Sequence, residues 1–228
     1  MDPLANPLWH ALTGRQRAAA ERVGLAVRYE PAVAPFAALP DAPTREAWDD
    51  LAALVGGRGV ALLFGPAMSA PPGWTELFSG SGVQMVARED DDDGTPEAGL
   101  TCLTPTHVPA MLDLVERTRP GPFAARTIEL GTYLGVFEGN ALVAMAGERM
   151  RLPEHTEISA VCTDAAVRGR GLATSLVRSL ARRIRHRDER PLLHVAADNV
   201  GAIRLYEALG FQTVRTLRFV GLRAPDAP

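Results

Sequence analysis

Apolar residues at helical spacing and apolar runs of strand length alternate along the chain. Near the N-terminus, Leu8, Trp9, Leu12, Ala19 and Val23 predict a helix ending at Gly24, followed by a strand over Leu25–Glu30. Thr44 is placed to cap a helix that runs through Val55 and stops at Gly56-Gly57. Val60–Phe64 and Val83–Arg88 read as buried strands. Leu100–Leu103 is a short strand, and Thr106 caps a helix with Val108, Met111, Leu112 and Val115 on its apolar side. Arg119-Pro120-Gly121-Pro122 ends that helix, and a second short one follows over Ala124–Leu130. Thr132–Phe137 and Ala141–Arg149 form strands around a Glu138-Gly139-Asn140 turn, and Thr156–Thr163 is the next strand. Leu172, Leu176, Val177, Leu180 and Ile184 make one stripe of a helix over Leu172–Arg187. A strand at Leu192–Ala197, a helix at Val200–Leu209 and one or two strands within Phe211–Arg223 close the chain. The alternation predicts an α/β (α+β) fold with a mixed, twisted central sheet.

Charge divides this pattern in two. Residues 1–100 hold 7 Arg against 14 Asp and Glu, and residues 101–228 hold 17 against 13. The change falls at an acidic stretch, Glu89-Asp90-Asp91-Asp92-Asp93-Gly94-Thr95-Pro96, read as an exposed linker. The expected organisation is a smaller α/β region over 1–88, an acidic linker over 89–98 and a main domain over 99–228. Trp9, Trp48 and Trp74 in the first part read as core residues.

All 24 basic Lys and Arg positions of the 228 residues are arginine. The absence of lysine excludes Schiff-base chemistry, P-loop and kinase phosphate binding through lysine, and Ser-Lys hydrolysis. A net charge of -3 gives no reason to expect nonspecific nucleic-acid binding. The cysteines, Cys102 and Cys162, make neither a disulfide framework nor a four-Cys zinc site, and the five histidines lack metal-ligand spacing, so no metal is expected. Free thiols, the lack of a basic patch followed by an apolar leader, and the lack of a membrane-length apolar run lead to a cytoplasmic location as the expectation.

One loop carries candidate chemistry. Thr163-Asp164-Ala165-Ala166-Val167-Arg168-Gly169-Arg170-Gly171-Leu172-Ala173 joins a strand to an amphipathic helix. Its glycines permit a tight turn, and the helix N-terminus offers main-chain N–H groups to an anion the size of a pyrophosphate. Twenty-eight residues after Gly171 comes Asn199, followed by Ala202, Leu205, Tyr206, Gly210 and Phe211.

With both segments in view, residues 99–223 resemble the GNAT superfamily of acyl-CoA-dependent N-acyltransferases. Arg168, Gly171 and Ala173 match its Arg/Gln-x-x-Gly-x-Gly/Ala motif, and Asn199 through Phe211 match its Asn-x-x-Ala-x-x-Leu-Tyr-x-x-x-Gly-Phe pattern. The resemblance extends to members in which such a domain forms the C-terminal part of a longer chain, after a diverged α/β half. It implies acetyl-CoA as co-substrate and an amine as acceptor, a small molecule rather than a protein, with no membrane or nucleic-acid partner. It leaves a homodimer open. The strands Thr156–Thr163 and Leu192–Ala197 would splay apart around the pantetheine arm. Val161, Cys162 and Thr163 would border that arm, with main-chain groups of Val161 and Thr163 pairing to it. Arg168, Gly169, Arg170, Gly171, Leu172, Ala173 and Thr174 would hold the pyrophosphate, and Asn199 would hydrogen-bond the arm.

The resemblance also assigns chemistry. Tyr206 would be the general acid toward the thiolate, and a main-chain N–H near Val161 would stabilise the oxyanion. Strand alternation puts Glu157, Ser159, Val161 and Thr163 on one face. A carboxylate there resembles the base position of the histone-acetylating branch, so the resemblance makes Glu157 the candidate base, acting directly or through water, with Glu148 as the alternative. His194 reads as a packed neutral imidazole, and Cys162 as a core residue rather than a nucleophile. The negative first part would attract a cationic amine. The competing function is a non-catalytic acyl-CoA-binding regulatory module, which needs the loop and Asn199 but neither Tyr206 nor Glu157.

Overall fold

A computed structural model describes residues 2–65, 69–88 and 99–226; the stretch read as an acidic linker, 89–98, lies outside them. In chain order the strands are β1 (Ala20–Val23), β2 (Ala26–Tyr29), β3 (Phe36–Ala38), β4 (Val60–Gly65), β5 (Thr75–Ala87), β6 (Thr101–Cys102), β7 (Tyr133–Glu138), β8 (Ala141–Leu152), β9 (His155–Thr163), β10 (Arg190–Ala196) and β11 (Phe211–Arg223). The helices are α1 (Pro7–Thr13), α2 (Arg45–Val55), α3 (Val108–Thr118), α4 (Leu172–Arg185) and α5 (Val200–Ala208). The strands form one 11-stranded sheet in the order β1-β2-β3-β4-β11-β5-β10-β9-β8-β7-β6. It is mixed: β3–β4 and β9–β10 are parallel and the other pairs antiparallel. Strand β5, from before the acidic stretch, lies between β10 and β11, which come after it.

Alternating strand residues separate the two faces. Ala144 and Ala146 of β8 pack with Leu176, Val177 and Leu180 of α4 and Tyr206 of α5, whereas Met145 packs with Met111 and Leu114 of α3. On the other side of the sheet centre, Val27 and Phe64 pack with Leu8 and Leu12 of α1, whereas Ala26 and Leu63 pack with Trp48 and Leu51 of α2. Val86 and Leu192 belong to the α1 cluster while Met85 and Leu193 belong to the α4 cluster. Helices α2, α4 and α5 therefore cover one face, and α1 and α3 the other.

Strand β3 is not among the expected elements, β5 begins at Thr75 rather than Val83, and the helix expected over Ala124–Leu130 is a single 3-10 turn, Thr127–Leu130. Two further differences have a local cause. The first helix ends at Thr13, and Ala20–Val23 forms β1 against β2. The cause is Gln16, which is buried: Tyr29 donates to its Oε1 at 2.7 Å, and its Nε2 donates to the Arg149 carbonyl at 2.6 Å. Satisfying that buried amide fixes the chain at Gln16 beside β2 and β8, where a continued helix would not carry it. The helix beyond Leu103 starts from a box at Thr104 rather than Thr106: the Thr104 N–H donates to His107 Nδ1 at 2.9 Å. Thr44 caps α2 as expected, accepting from the Ala47 N–H at 3.3 Å.

Candidate active site

Strands β9 and β10 pair only at Arg190↔His155, Pro191↔Thr156 and Leu192↔Glu157. Beyond that point β9 stays with β8 as far as Thr163, and β10 stays with β5 as far as Ala196, so a slot opens in the middle of the sheet. A bulge shapes it. Met145 faces Cys162 and Gly147 faces Ser159, which leaves Ala160 and Val161 opposite the single residue Ala146. Ala160 sits at φ 53, a left-handed conformation unusual for a residue with a side chain. A bulge withdraws main-chain groups from regular pairing and re-aims the side chains after it. Ile158 and Val161 accordingly pack toward the same α4 cluster, and Cys162 packs with Met145 toward α3. The expected common face of Glu157, Ser159, Val161 and Thr163 therefore ends at the bulge.

A cavity of about 1130 Å³ follows the slot through the sheet. Val161, Cys162, Thr163, Arg168, Gly169, Gly171, Leu172, Ala173, Thr174, Asn199 and Tyr206 all line it. Gly169 and Gly171 have φ 79 and 78, and a Cβ built on either meets nothing within 4 Å. The turn needs these conformations, and the space above them is open. Gly171 is the N-cap of α4 and supplies no side-chain cap, so the first N–H groups of that helix are left for another acceptor. Arg168 Nε donates to the Thr163 carbonyl at 3.3 Å, bracing the loop on β9. Arg170 does not line the cavity; its Nη1 meets Glu138 Oε1 at 2.5 Å on the surface.

Asn199 and Tyr206 are seven residues apart, about two helical turns, and so share one side of α5. Asn199 Oδ1 accepts from the Ala202 N–H at 3.1 Å as the helix cap, which leaves its amide N–H groups for the cavity. Tyr206 is buried among the α4 cluster, and its hydroxyl makes no hydrogen bond to another described residue. Burial, and then the neighbouring Cys162, push the phenol up to about 12. The same burial raises the Cys162 thiol, which keeps it protonated and a poor nucleophile.

Glu157 is elsewhere. It is fully buried and does not line the cavity. Arg149 Nε and Nη2 donate to its two carboxylate oxygens at 2.8 and 2.7 Å, His194 Nδ1 donates to Oε1 at 2.8 Å, and the Met150 N–H donates to Oε2 at 3.3 Å. A second bulge produces this, since Arg149 and Met150 together face Glu157. Burial acts to raise the Glu157 pKa, but the Arg149 charge and the hydrogen bonds from His194 and Arg149 outweigh it and hold the carboxyl at about 2. A carboxylate held so low, with both oxygens occupied, is a weak proton acceptor, so this placement does not suit Glu157 as the base. Glu148 is also buried and outside the cavity, with Oε1 taking 3.0 Å from Arg187 at the end of α4. His194 does line the cavity, and burial lowers its pKa, so the imidazole is neutral at pH 7. Its Nε2 lies 2.9 Å from Gln84 Nε2, which makes that nitrogen an acceptor.

The residues missed by sequence reasoning are those that wall the cavity on the α1/α3 face. Arg149 lies 4.9 Å from the centre of the Phe36 ring, and Phe64 meets His194 edge-on at 4.5 Å between centroids. Nothing local in the sequence marks them, because β3, β4, β8 and β10 bring them together only through sheet order.

Residues 133–220 match the family described as FR47-like protein. The chain is 37% identical to a solved protein from the GNAT family of Novosphingobium aromaticivorans, with a TM-score of 0.89 and 100% of each chain covered. The GCN5-related N-acetyltransferase from Kribbella flavida is 18% identical, with a TM-score of 0.64 over 98% of this chain and 96% of that one, a likeness of fold. Over 79 residues the chain is 39% identical to the mycothiol acetyltransferase of Mycobacterium marinum, covering 31% of this chain and 25% of that protein. The match thus spans about a quarter of that curated relative's length.

Proposed function

The chain belongs to the GNAT family of acetyltransferases, and on that premise we propose that it moves an acetyl group from acetyl-CoA to the nitrogen of a small amine by direct attack. One observation carries the reading: a single cavity joins the uncapped N-terminus of α4, the slot between β9 and β10 and the unpaired hydroxyl of Tyr206. The open cradle over Gly169 and Gly171 suits a pyrophosphate, the slot suits the pantetheine arm, and Asn199 offers that arm a donor. Acetyl-CoA supplies an activated thioester. Main-chain N–H groups at the Ala160–Val161 bulge, withdrawn from regular pairing, would stabilise the oxyanion formed when the amine nitrogen bonds to the carbonyl carbon. As the C–S bond breaks, the Tyr206 hydroxyl gives its proton to the leaving sulfur and recovers one from water. With Glu157 held by Arg149 and Glu148 outside the cavity, water takes the proton lost by nitrogen, and the amine attacks as its free base. The division into residues 1–88 and 99–228 remains part of this proposal, with the first part contributing acceptor-side wall and the second the acetyl-CoA side.

The test is CoA thiol release from acetyl-CoA with a panel of amines, read together with the mass of the acetylated product. Tight acetyl-CoA binding with no turnover on any acceptor would instead favour the regulatory binding module. A second result is expected from Gly171→Ala. Nothing in the protein meets the added methyl, so its local cost is the left-handed φ, about 1 kcal/mol. An added methyl in the cradle should raise the acetyl-CoA KM about tenfold while kcat stays within about twofold. Steady-state kinetics that leave KM unchanged would remove the cradle from the binding site.

A further inference from the structure

The acceptor end of the cavity has a definite chemical character. On the α1/α3 face it is walled by Phe36 of β3, Leu62 and Phe64 of β4, Phe78 of β5 and Phe219 of β11. Gly80 lets this wall form: a Cβ there would lie 2.4 Å from the Phe219 ring, so the ring rests on bare backbone. Among the described residues no Asp or Glu lines the cavity; its charged lining groups are Arg119, Arg149 and Arg168. Glu157 pairs with two lining residues, Arg149 and His194, and both of its oxygens are already occupied. The expected attraction of a cationic amine by the acidic first part finds no carboxylate among the described lining residues; Glu89–Asp93 and Glu97 lie outside the described residues.

We propose that the acceptor is a monoamine carried on an aromatic body, seated among Phe36, Phe64, Phe78 and Phe219, and that amines with a second positive charge are rejected. This rests on the acetyl-transfer reading. An aromatic ring gains from leaving water and from edge-to-face contacts with these rings. A second ammonium would be desolvated beside arginines, with no carboxylate among the described lining residues to meet it. Specificity therefore comes from both attraction and repulsion, and the residues that set it come mainly from the part of the chain before the acetyl-CoA loop.

The experiment compares 2-phenylethylamine with 1,4-diaminobutane and spermidine as acceptors for the full chain. The expected kcat/KM ratio of 2-phenylethylamine to 1,4-diaminobutane is about 100-fold, the size of discrimination an apolar pocket reaches. Phe78 is 52% exposed, so Phe78→Ala removes wall with little loss of core, and it should cut the ratio about tenfold. Val60→Ala, an exposed β4 position outside the cavity, should leave the ratio unchanged. Preference for the diamine or for spermidine, or a ratio that Phe78→Ala does not alter, overturns the proposal. If no amine reacts, acetyl transfer itself fails and the aromatic seat is judged by binding. Stabilisation of the CoA-bound protein by N-acetyl-2-phenylethylamine beyond that by N-acetyl-1,4-diaminobutane would support it, and equal or weaker stabilisation would overturn it.

Discussion

Replacing Tyr206 by Phe should lower kcat by about 10²- to 10⁴-fold, the range contributed by one positioned general acid. The acetyl-CoA KM should change little, because the ring that packs in the α4 cluster is kept and only the hydroxyl is removed. Stability should also be nearly unchanged, since that hydroxyl has no hydrogen-bond partner among the described residues to leave unsatisfied. The pH profile separates this role from simple packing. A group at about 12 stays protonated through the neutral range, so the acid form is lost only as pH rises toward that value. An alkyl amine acceptor has a pKa of about 10, and only its free base attacks, so kcat/KM should climb about tenfold per pH unit from 7 until near that pKa. Glu157 is already ionised and His194 already neutral at pH 7, so neither adds a limb there. A plateau beginning near pH 7 would reveal an enzyme base and defeat the free-base reading. A Tyr206→Phe enzyme with wild-type kcat in single-turnover measurements would remove Tyr206 from the chemistry.

The glycine loop and the two helices that line one end of the cavity were legible in the sequence because their demands are local. A turn at φ near 80 asks for Gly169 and Gly171, and the helix behind it announces itself by the stripe from Leu172 to Ile184. The run from Asn199 to Phe211 likewise holds its cap, its tyrosine and its terminating glycine within one short helix and turn. The aromatic wall of the cavity was illegible because its demands are not local. Phe36 stands in a three-residue strand with no periodicity to read, and β5 reaches the cavity only by lying between β10 and β11. Glu157 failed for a related reason. Alternation along one strand predicts faces correctly until a bulge intervenes, and bulges at Ala160 and opposite Glu157 depend on the partner strand, β8. Gln16 shows the same limit in the first helix, where a buried amide that bridges β2 and β8 overrides helical spacing.

Glu157→Gln should destabilise the fold by about 3–5 kcal/mol at pH 7, the usual consequence of removing one partner from a buried ion pair. Arg149 keeps its charge, and its side chain is only 12% exposed, so water cannot replace the lost carboxylate. The His194 Nδ1–H loses a charged acceptor at the same time. The sign with pH follows from a folded pKa lowered from 4.5 to about 2. Such a group adds stability that is complete above the unfolded value and is lost as pH falls toward the folded one. The gap between wild type and Glu157→Gln should therefore be full at pH 7, narrow from about pH 4.5 downward and close near pH 2, where a protonated carboxyl resembles the amide. Urea unfolding at a series of pH values measures it, and a gap below about 1 kcal/mol at pH 7 would contradict the geometry. The double variant Arg149→Met, Glu157→Leu distinguishes stability from function. Replacing a buried pair by apolar residues of similar volume is often neutral or stabilising, so this variant should recover most of the lost stability. It would still lack the guanidinium over Phe36 and the carboxylate that orients His194, and both Phe36 and His194 line the cavity. If the pair matters only for folding, activity should return with stability. If it also shapes the acceptor seat, the amine KM should stay raised in a protein that is stable again.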